Sequence, residues 1–162
     1  MAQDFHPQEI IKIAIKIEEK GKQLYGDLEK KATDPKLKEM WRYLKDQEEE
    51  HRKTFTQMLQ HISDYIVYEF SPGEYDAYLA GIASEQVFSS KIIEEKTKEG
   101  FSSDVEAVDF GIGIEKDSIL VYTALRPYLA AEKQEILDEI IQEEKKHYLD
   151  LVSIKKSLVA GK

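Results

Sequence analysis

The feature that most constrains this chain is a pair of long amphipathic segments that occurs twice. In each copy a Glu-x-x-His motif lies on the apolar side of a segment: Glu48 with His51 in the first half, and Glu144 with His147 in the second. Residues i and i+3 of an α-helix share a face, so each motif presents a carboxylate and an imidazole to one point. One such motif carries little information in a Glu-rich chain, but two at matching places in a repeat indicate a shared site.

The other two amphipathic segments carry a second repeated pattern, which reads apolar, small, Glu, small, Tyr, apolar. Its members are Ile11, Ala14, Glu18, Gly21, Tyr25 and Leu28 in the first half, and Val108, Gly111, Glu115, Ser118, Tyr122 and Leu125 in the second. Steps of three and four residues follow one face of an α-helix. Glu18 and Glu115 are therefore predicted to lie on the buried stripes of their helices.

Capping signals and the apolar period predict the helix boundaries. Asp34 precedes a proline and is a candidate N-cap, and Ser103 with Glu106 has the spacing of a capping box. We predict helices over 7–32, 35–63, 104–127 and 131–159. The connection of about 65–102 is far longer than a helical hairpin needs, which indicates a crossover. The predicted fold is an all-α, antiparallel four-helix bundle with a long crossover between helices two and three, in a single domain over 1–162.

Composition excludes several classes of function. The net charge is −9, which argues against nucleic-acid binding, since that requires a basic face. The 162 residues include no cysteine, so the sequence holds no disulfide, no Cys zinc site and no Cys-ligated iron–sulfur cluster. No apolar run reaches the ~18 residues of a membrane span, and the N-terminus lacks a signal-peptide pattern. We expect a soluble, cytoplasmic protein with no nucleic-acid or membrane partner.

The inward faces of the four helices place six polar residues in one core. This set, here called the Glu/His cluster, consists of Glu18, Glu48, His51, Glu115, Glu144 and His147. Four buried carboxylates without partners would be strongly destabilising, because each ion loses its hydration, and the inward stripes contain no Lys or Arg. A plain polar network is the alternative, and the net charge of such a core argues against it. Two divalent cations would balance the charge, and these donor atoms suit iron or manganese, and zinc less selectively.

Four segments carry a resemblance to a known family. They are IEEKG at 17–21 followed by Tyr25, DQEEEH at 46–51, IEKDS at 114–118 followed by Tyr122, and QEEKKH at 142–147. In these segments the chain resembles the ferritin-like superfamily, and within it the rubrerythrin branch and its small, single-domain members. Di-iron bundles of this type use one Glu from each of two helices and a Glu-x-x-His from each of the other two.

The resemblance implies a di-iron centre with the Glu/His cluster as its ligands. Glu48 and Glu144 would bridge two iron ions, and Glu18 and Glu115 would be the terminal carboxylates. Manganese or zinc would be able to replace iron in a crystal of the recombinant protein. The resemblance also implies O2 or H2O2 as the oxidant.

Two departures from rubrerythrins affect the expected chemistry. Rubrerythrins carry a rubredoxin-like four-Cys iron site, whereas this chain has no Cys, so we expect electrons from an external donor protein such as a rubredoxin. Rubrerythrins also have a further Glu one turn after the third-helix ligand, where this chain has Ser118. We therefore expect slower peroxide reduction than in rubrerythrins.

Four other residues lie near the predicted ligands in the sequence. Tyr25 and Tyr122 are candidates for hydrogen bonding to the ligands or for one-electron chemistry, or they are ordinary core aromatics. Asp46 and Glu143 are candidates to orient the ligand imidazoles, or they are solvated surface acids. The pattern leaves both pairs of alternatives open.

Three functions fit the ligand set, which is common to all of them. The one we favour is a redox enzyme in which two Fe(II) ions deliver two electrons to O2 or H2O2, in a role against oxidative stress. The second is an iron-handling ferroxidase that oxidises Fe(II) and passes it on. The third is a non-catalytic bundle that metal only stabilises. We expect a homodimer in each case.

Overall fold

The described part of the chain includes four long helices and a shorter helix in the crossover. A computed structural model describes residues 7–61 and 90–161, together with 71, 73–74 and 77–78. The helices are α1 (Pro7–Lys31), α2 (Pro35–His61), α3 (Ser90–Glu99), α4 (Asp104–Leu125) and α5 (Ala131–Ala160). No strand occurs among these described residues, which confirms the predicted all-α bundle. Within the same residues, no helix has the length and apolar character needed to cross a bilayer.

The bundle consists of two helical hairpins that match the two halves of the sequence repeat. α1 packs mainly on α2, and α4 packs mainly on α5. The α-helix predicted over 104–127 ends at Leu125, because Pro127 cannot donate a backbone hydrogen bond. The chain tightens there into a 3-10 turn at Arg126–Tyr128 before α5 begins.

The described part of the crossover lies against the first hairpin. Ile93 of α3 is buried, and Lys31 of α1 donates a hydrogen bond of 2.7 Å to the carbonyl of Thr97. α3 ends at Gly100, whose φ of 74° is in the left-handed region that glycine adopts without steric cost. Most of the predicted crossover, and residues 62–63 of the predicted second helix, lie outside the described residues.

Two helices begin with the N-cap hydrogen bonds that the sequence predicts, with one difference in the capping box. Asp34 Oδ1 accepts a hydrogen bond of 2.9 Å from the amide of Leu37, and Ser103 Oγ accepts one of 3.1 Å from the amide of Glu106. The second half of the capping box differs. Glu106 accepts from the amide of Ser102 at 2.6 Å instead of from Ser103, so its carboxylate reaches one residue further back.

Large aromatic side chains enclose the middle of the bundle. Trp41 stacks on Tyr25 with 5.6 Å between ring centroids, and Phe55 packs on Tyr122 at 5.3 Å. A Cβ at Gly111 would lie 3.3 Å from Leu151 Cδ1 and 3.4 Å from the indole ring of Trp41, so the absence of a side chain there eases the packing of both residues. Because Trp41 and Phe55 flank the Glu-x-x-His motif of α2, the polar residues between them lie in a largely apolar core.

The N-cap of α2 provides a test of the helix boundary. Asp34→Ala should lower the free energy of unfolding by about 1 kcal/mol, because the amide of Leu37 loses its acceptor. Asp34→Asn should retain most of the stability, because its amide oxygen accepts the same bond. Urea unfolding of both variants at equal metal content measures the difference. Equal midpoints for the two variants would contradict the cap.

Candidate metal centre

All six residues of the Glu/His cluster are buried at the middle of the bundle. Each of the four long helices contributes: Glu18 from α1, Glu48 and His51 from α2, Glu115 from α4, and Glu144 and His147 from α5. None is more than 2% exposed. The helical phase predicted from sequence therefore matches the burial at every one of these positions.

The cluster divides into two groups, each compact enough to hold one cation. One group contains Glu48, Glu115, Glu144 and His147, and the other contains Glu18, His51 and Glu144. Within each group, one ligand atom per residue lies within 4.8 Å of all the others. Glu144 belongs to both groups, which is the arrangement that a carboxylate between two cations requires.

Both imidazoles direct Nδ1 at the carboxylates. His51 Nδ1 lies 2.8 Å from Glu144 Oε1 and 3.5 Å from Glu18 Oε2. His147 Nδ1 lies 3.6 Å from Glu115 Oε2 and 3.7 Å from Glu144 Oε2. The two rings stack with 5.8 Å between their centroids. Nδ1 is therefore the nitrogen that each histidine offers to a metal.

The two buried tyrosines connect the hairpins through the cluster. Tyr25 of α1 donates a hydrogen bond to Glu115 Oε1, and Tyr122 of α4 donates one to Glu18 Oε1. Each hydroxyl thus occupies one oxygen of a glutamate in the opposite hairpin and leaves Oε2 facing the cluster. Of the alternatives that the sequence left open, these contacts support hydrogen bonding to the cluster carboxylates.

Only one of the two candidate acids reaches an imidazole. Glu143 Oε2 lies 2.6 Å from His51 Nε2. Asp46 has a side chain that is 66% exposed, and its charged neighbour is Lys45 at 4.0 Å, so it is a surface acid. Both residues were candidates from the sequence, but the sequence pattern did not show that Glu143 contacts the histidine of the other hairpin.

The polar atoms of the cluster that have no hydrogen-bond partner indicate whether a cation fits there. Within the described residues, no hydrogen-bond partner exists for Glu18 Oε2, Glu48 Oε1, Glu115 Oε2, both oxygens of Glu144, His51 Nδ1, or either nitrogen of His147. A buried polar atom without a partner costs about 1–3 kcal/mol, and more when it is charged. Nearly all of these atoms face one another, so one pair of cations would satisfy them together. Carboxylate oxygen and imidazole nitrogen are a donor set that fits iron or manganese.

Gly21 leaves space for one of the predicted bridging carboxylates. A Cβ at Gly21 would lie 2.7 Å from Glu48 Oε2 and 2.9 Å from its Cδ, closer than side-chain atoms approach. The corresponding position in the second hairpin is Ser118, which is also buried. Gly21 therefore leaves the space in α1 that the Glu48 carboxylate occupies, and a larger residue at this position would displace that carboxylate.

Without a cation, the cluster carboxylates favour different protonation states. Burial, together with the charges of Glu18 and Glu144, raises the pKa of Glu48 well above its usual value. Burial and the charge of Glu144 likewise raise the pKa of Glu115. Burial opposes ionisation of Glu144 too, but the nearby Glu115 carboxyl and both histidines lower its pKa below the usual value.

Both histidines favour the charged form in the metal-free cluster. Burial alone would lower the pKa of His51, but Glu144 and Glu18 raise it to about 11. Glu115 and Glu144 raise the pKa of His147 to about 9, again against the effect of burial. Metal binding must therefore release protons from the cluster.

These shifts predict how stability depends on pH in the metal-free protein. Glu48 and Glu115 have raised folded pKa values, so their stabilising contribution is present below the unfolded value of 4.5 and is lost as pH rises. The contribution of His51 is present below 6.5 and is lost as pH rises towards about 11. The free energy of unfolding should therefore fall between about pH 5 and pH 9.

Urea unfolding across that range, with chelator or with saturating Mn(II), measures this dependence. Mn(II) should oppose the fall, because it binds the deprotonated ligands and its affinity rises with pH. A metal-free protein that becomes more stable from pH 5 to pH 9 would contradict the assigned protonation states.

Adjacent glutamates of α2 provide a matched pair of variants. Glu48 is buried in the cluster, whereas Glu49 faces outwards and pairs with Lys22 at 2.9 Å and Arg52 at 2.8 Å. Glu48→Gln should weaken Mn(II) binding more than the 10–100-fold typical of lost outer-sphere contacts, since it removes a predicted ligand. The same change should not destabilise the metal-free protein, because it removes one of four mutually repelling carboxylates.

Glu49→Gln should leave Mn(II) affinity unchanged and cost at most about 1 kcal/mol of stability, since exposed ion pairs contribute little. Calorimetric Mn(II) titration and urea unfolding of both variants check the two effects. Equal metal binding by the two variants would refute the role of Glu48.

Comparisons with known proteins identify the family and the fold of this chain. A Rubrerythrin family model matches residues 9–155. A Thermotoga maritima structure described as a ferritin-like diiron-carboxylate protein aligns with a TM-score of 0.71 and 24% identity, over 96% of this chain and 98% of that chain. A hypothetical protein from Pyrococcus furiosus aligns with a TM-score of 0.58 and 17% identity, over 98% and 93%. The search of curated proteins found no match. The structural likenesses show the shared fold, and the family match shows that this chain belongs to the rubrerythrin family of the ferritin-like superfamily.

Proposed function

We propose that this protein is a di-iron oxidoreductase of rubrerythrin type, which passes two electrons from an external donor to H2O2 or O2. The observation that carries the proposal is the convergence of four buried glutamates and two buried histidines whose ligand atoms face one another without hydrogen-bond partners. The Glu/His cluster would hold two iron ions, one at Glu48, Glu115, Glu144 and His147 and the other at Glu18, His51 and Glu144. When bound, two Fe(II) ions supply the two electrons that the oxidant takes up.

The carboxylates would match the charge of two divalent ions. Four glutamates carry four negative charges, so the loaded cluster would be close to neutral in a core with no other buried cation among the described residues. Tyr25 and Tyr122 would restrict Glu115 and Glu18 to one free oxygen each, facing the metals. This restriction would orient the terminal ligands before metal arrives, which lowers the cost of binding.

The tyrosine hydroxyls would serve as hydrogen-bond donors and stay protonated. Burial and the charge of Glu115 raise the pKa of Tyr25 well above its usual value, and burial and Glu18 do the same for Tyr122. Reduction of H2O2 to two waters takes up two electrons and two protons. With both hydroxyls engaged in holding carboxylates, we expect the protons to come from solvent.

The apolar surroundings would keep bulk water from the reaction. Trp41 and Phe55 are at most 1% exposed and enclose the cluster on either side. Small oxidants such as O2 and H2O2 are compatible with a site this buried, whereas a bulky organic substrate is not. The electron donor is proposed to be another protein, such as a rubredoxin, because the sequence contains no cysteine for an iron–sulfur or rubredoxin-type centre.

Anaerobic loading with Fe(II), followed by H2O2 or O2, tests the proposal. We expect one H2O2 to be consumed for two Fe(II) oxidised, and turnover to continue only when a reductant and rubredoxin are added. Accumulation of many Fe(III) per chain under O2 would favour the ferroxidase function instead. An unchanged spectrum with both oxidants would leave only a stabilising role for the metal.

Ser118 offers a test of the expected difference from rubrerythrins. Ser118 is 2% exposed, so a longer side chain there would reach into the buried region around the cluster. Ser118→Glu should increase the rate at which H2O2 oxidises the Fe(II)-loaded protein, since it adds an anionic ligand that can stabilise the oxidised irons. Ser118→Gln is the control of equal size without the charge.

Stopped-flow absorbance after mixing with H2O2 measures both variants and the wild type. If Ser118→Glu and Ser118→Gln react at the same rate, an additional carboxylate is irrelevant at this position. Ser118 would then be a packing residue, as its counterpart Gly21 is.

A further inference from the structure

The two histidines of the cluster are alike on one side of the ring and different on the other. Both direct Nδ1 at the carboxylates. On the opposite side, His51 Nε2 lies 2.6 Å from Glu143 Oε2, whereas His147 Nε2 has no hydrogen-bond partner among the described residues. The pseudo-symmetry of the bundle therefore breaks at the outer nitrogen of the imidazoles.

The contact between Glu143 and His51 determines which nitrogen carries the proton when metal is bound. The Glu143 side chain is 52% exposed, and a carboxylate has no hydrogen to donate, so it can only accept hydrogen bonds. His51 Nε2 must then be the donor. A neutral imidazole with its proton on Nε2 has its lone pair on Nδ1, which is the atom that faces Glu144 and Glu18. A carboxylate on the far nitrogen also makes the coordinating nitrogen more basic.

The equivalent position in the other hairpin holds a neutral residue. The sequence repeat that aligns Glu48 with Glu144 and His51 with His147 also aligns Gln47 with Glu143. Gln47 is half-buried and makes no hydrogen bond to His147 Nε2. Besides His51, the ring of Tyr43 contacts the His147 ring, in an edge contact with 5.7 Å between centroids. Neither the Gln47 amide nor the Tyr43 ring is an anion, so neither provides His147 Nε2 with an anionic acceptor.

We propose that Glu143 is a positioning residue that makes the two metal positions unequal. It holds His51 in the tautomer that coordinates through Nδ1, so that the position formed by Glu18, His51 and Glu144 binds the first metal ion more tightly. Gln47 leaves the position at His147 as the weaker one, which fills second. This inference rests on the metal centre proposed above and adds an order of loading to it.

Mn(II) titration of the metal-free protein tests this order without any redox reaction. Calorimetry gives the two affinities, and electron paramagnetic resonance distinguishes an isolated Mn(II) from a coupled pair. For the wild type we expect two resolved steps, with an isolated Mn(II) signal at one equivalent and a coupled pair at two. Glu143→Gln should lower the affinity of the first step by about 10- to 100-fold and bring the two steps together.

A reciprocal variant and a control separate this role from general effects of charge or structure. Gln47→Glu supplies the missing acceptor near His147 and should raise the affinity of the second step, a gain that structural damage would not produce. Glu139→Gln removes one exposed charge from α5, one turn before Glu143, and should leave both steps unchanged.

The outcomes distinguish failure of this inference from failure of the metal centre. Equal affinities for two ions in the wild type, or equal effects of Glu143→Gln and Glu139→Gln, would overturn the role of Glu143 and leave the metal centre intact. If the wild-type protein binds no Mn(II) or Fe(II), the metal centre and this inference both fail.

Discussion

Four buried carboxylates that repel one another dominate the electrostatics of the core. Each glutamate loses its hydration on burial, and in the metal-free protein the charges nearby raise the pKa of Glu48 and Glu115 still further. Protons can relieve part of this cost, and the two histidines take up positive charge for the same reason. Two divalent cations would relieve it more completely, because they also satisfy the oxygens and nitrogens that have no hydrogen-bond partner.

The same cluster also joins the two hairpins of the bundle. α1 packs mainly on α2 and α4 on α5, so the residues between the hairpins determine how the halves fit together. The tyrosine–glutamate bonds between Tyr25 and Glu115 and between Tyr122 and Glu18 cross this boundary, as does the contact of Glu143 with His51. Bound metal would cross it as well, since each group of the cluster draws on both hairpins. The fit between the hairpins and the candidate metal centre therefore depend on the same few polar residues.

Most of the fold and the buried positions of the Glu/His cluster could be predicted from sequence, because helical periodicity determines which residues share a face. The duplicated pattern placed Glu18 and Glu115 on the buried faces of their helices and separated Glu48 from the outward-facing Glu49. The contacts between hairpins could not be predicted, since periodicity gives the face of a helix and not the partner across the core. Asp46 and Glu143 were therefore indistinguishable in the sequence, although only Glu143 contacts an imidazole. In the same way, the capping-box pattern did not show that Glu106 would reach Ser102.

Anomalous diffraction from a crystal loaded with Mn(II) or Fe(II) is the decisive experiment for the metal centre, because it locates the metal without reference to any activity. Two peaks are expected about 3.5–4 Å apart in the middle of the bundle, both beside Glu144 and with one histidine Nδ1 on each ion. A crystal with no peak inside the bundle, or with His51 and His147 more than about 10 Å apart, would contradict this expectation, since two metals at that spacing could not then share the cluster.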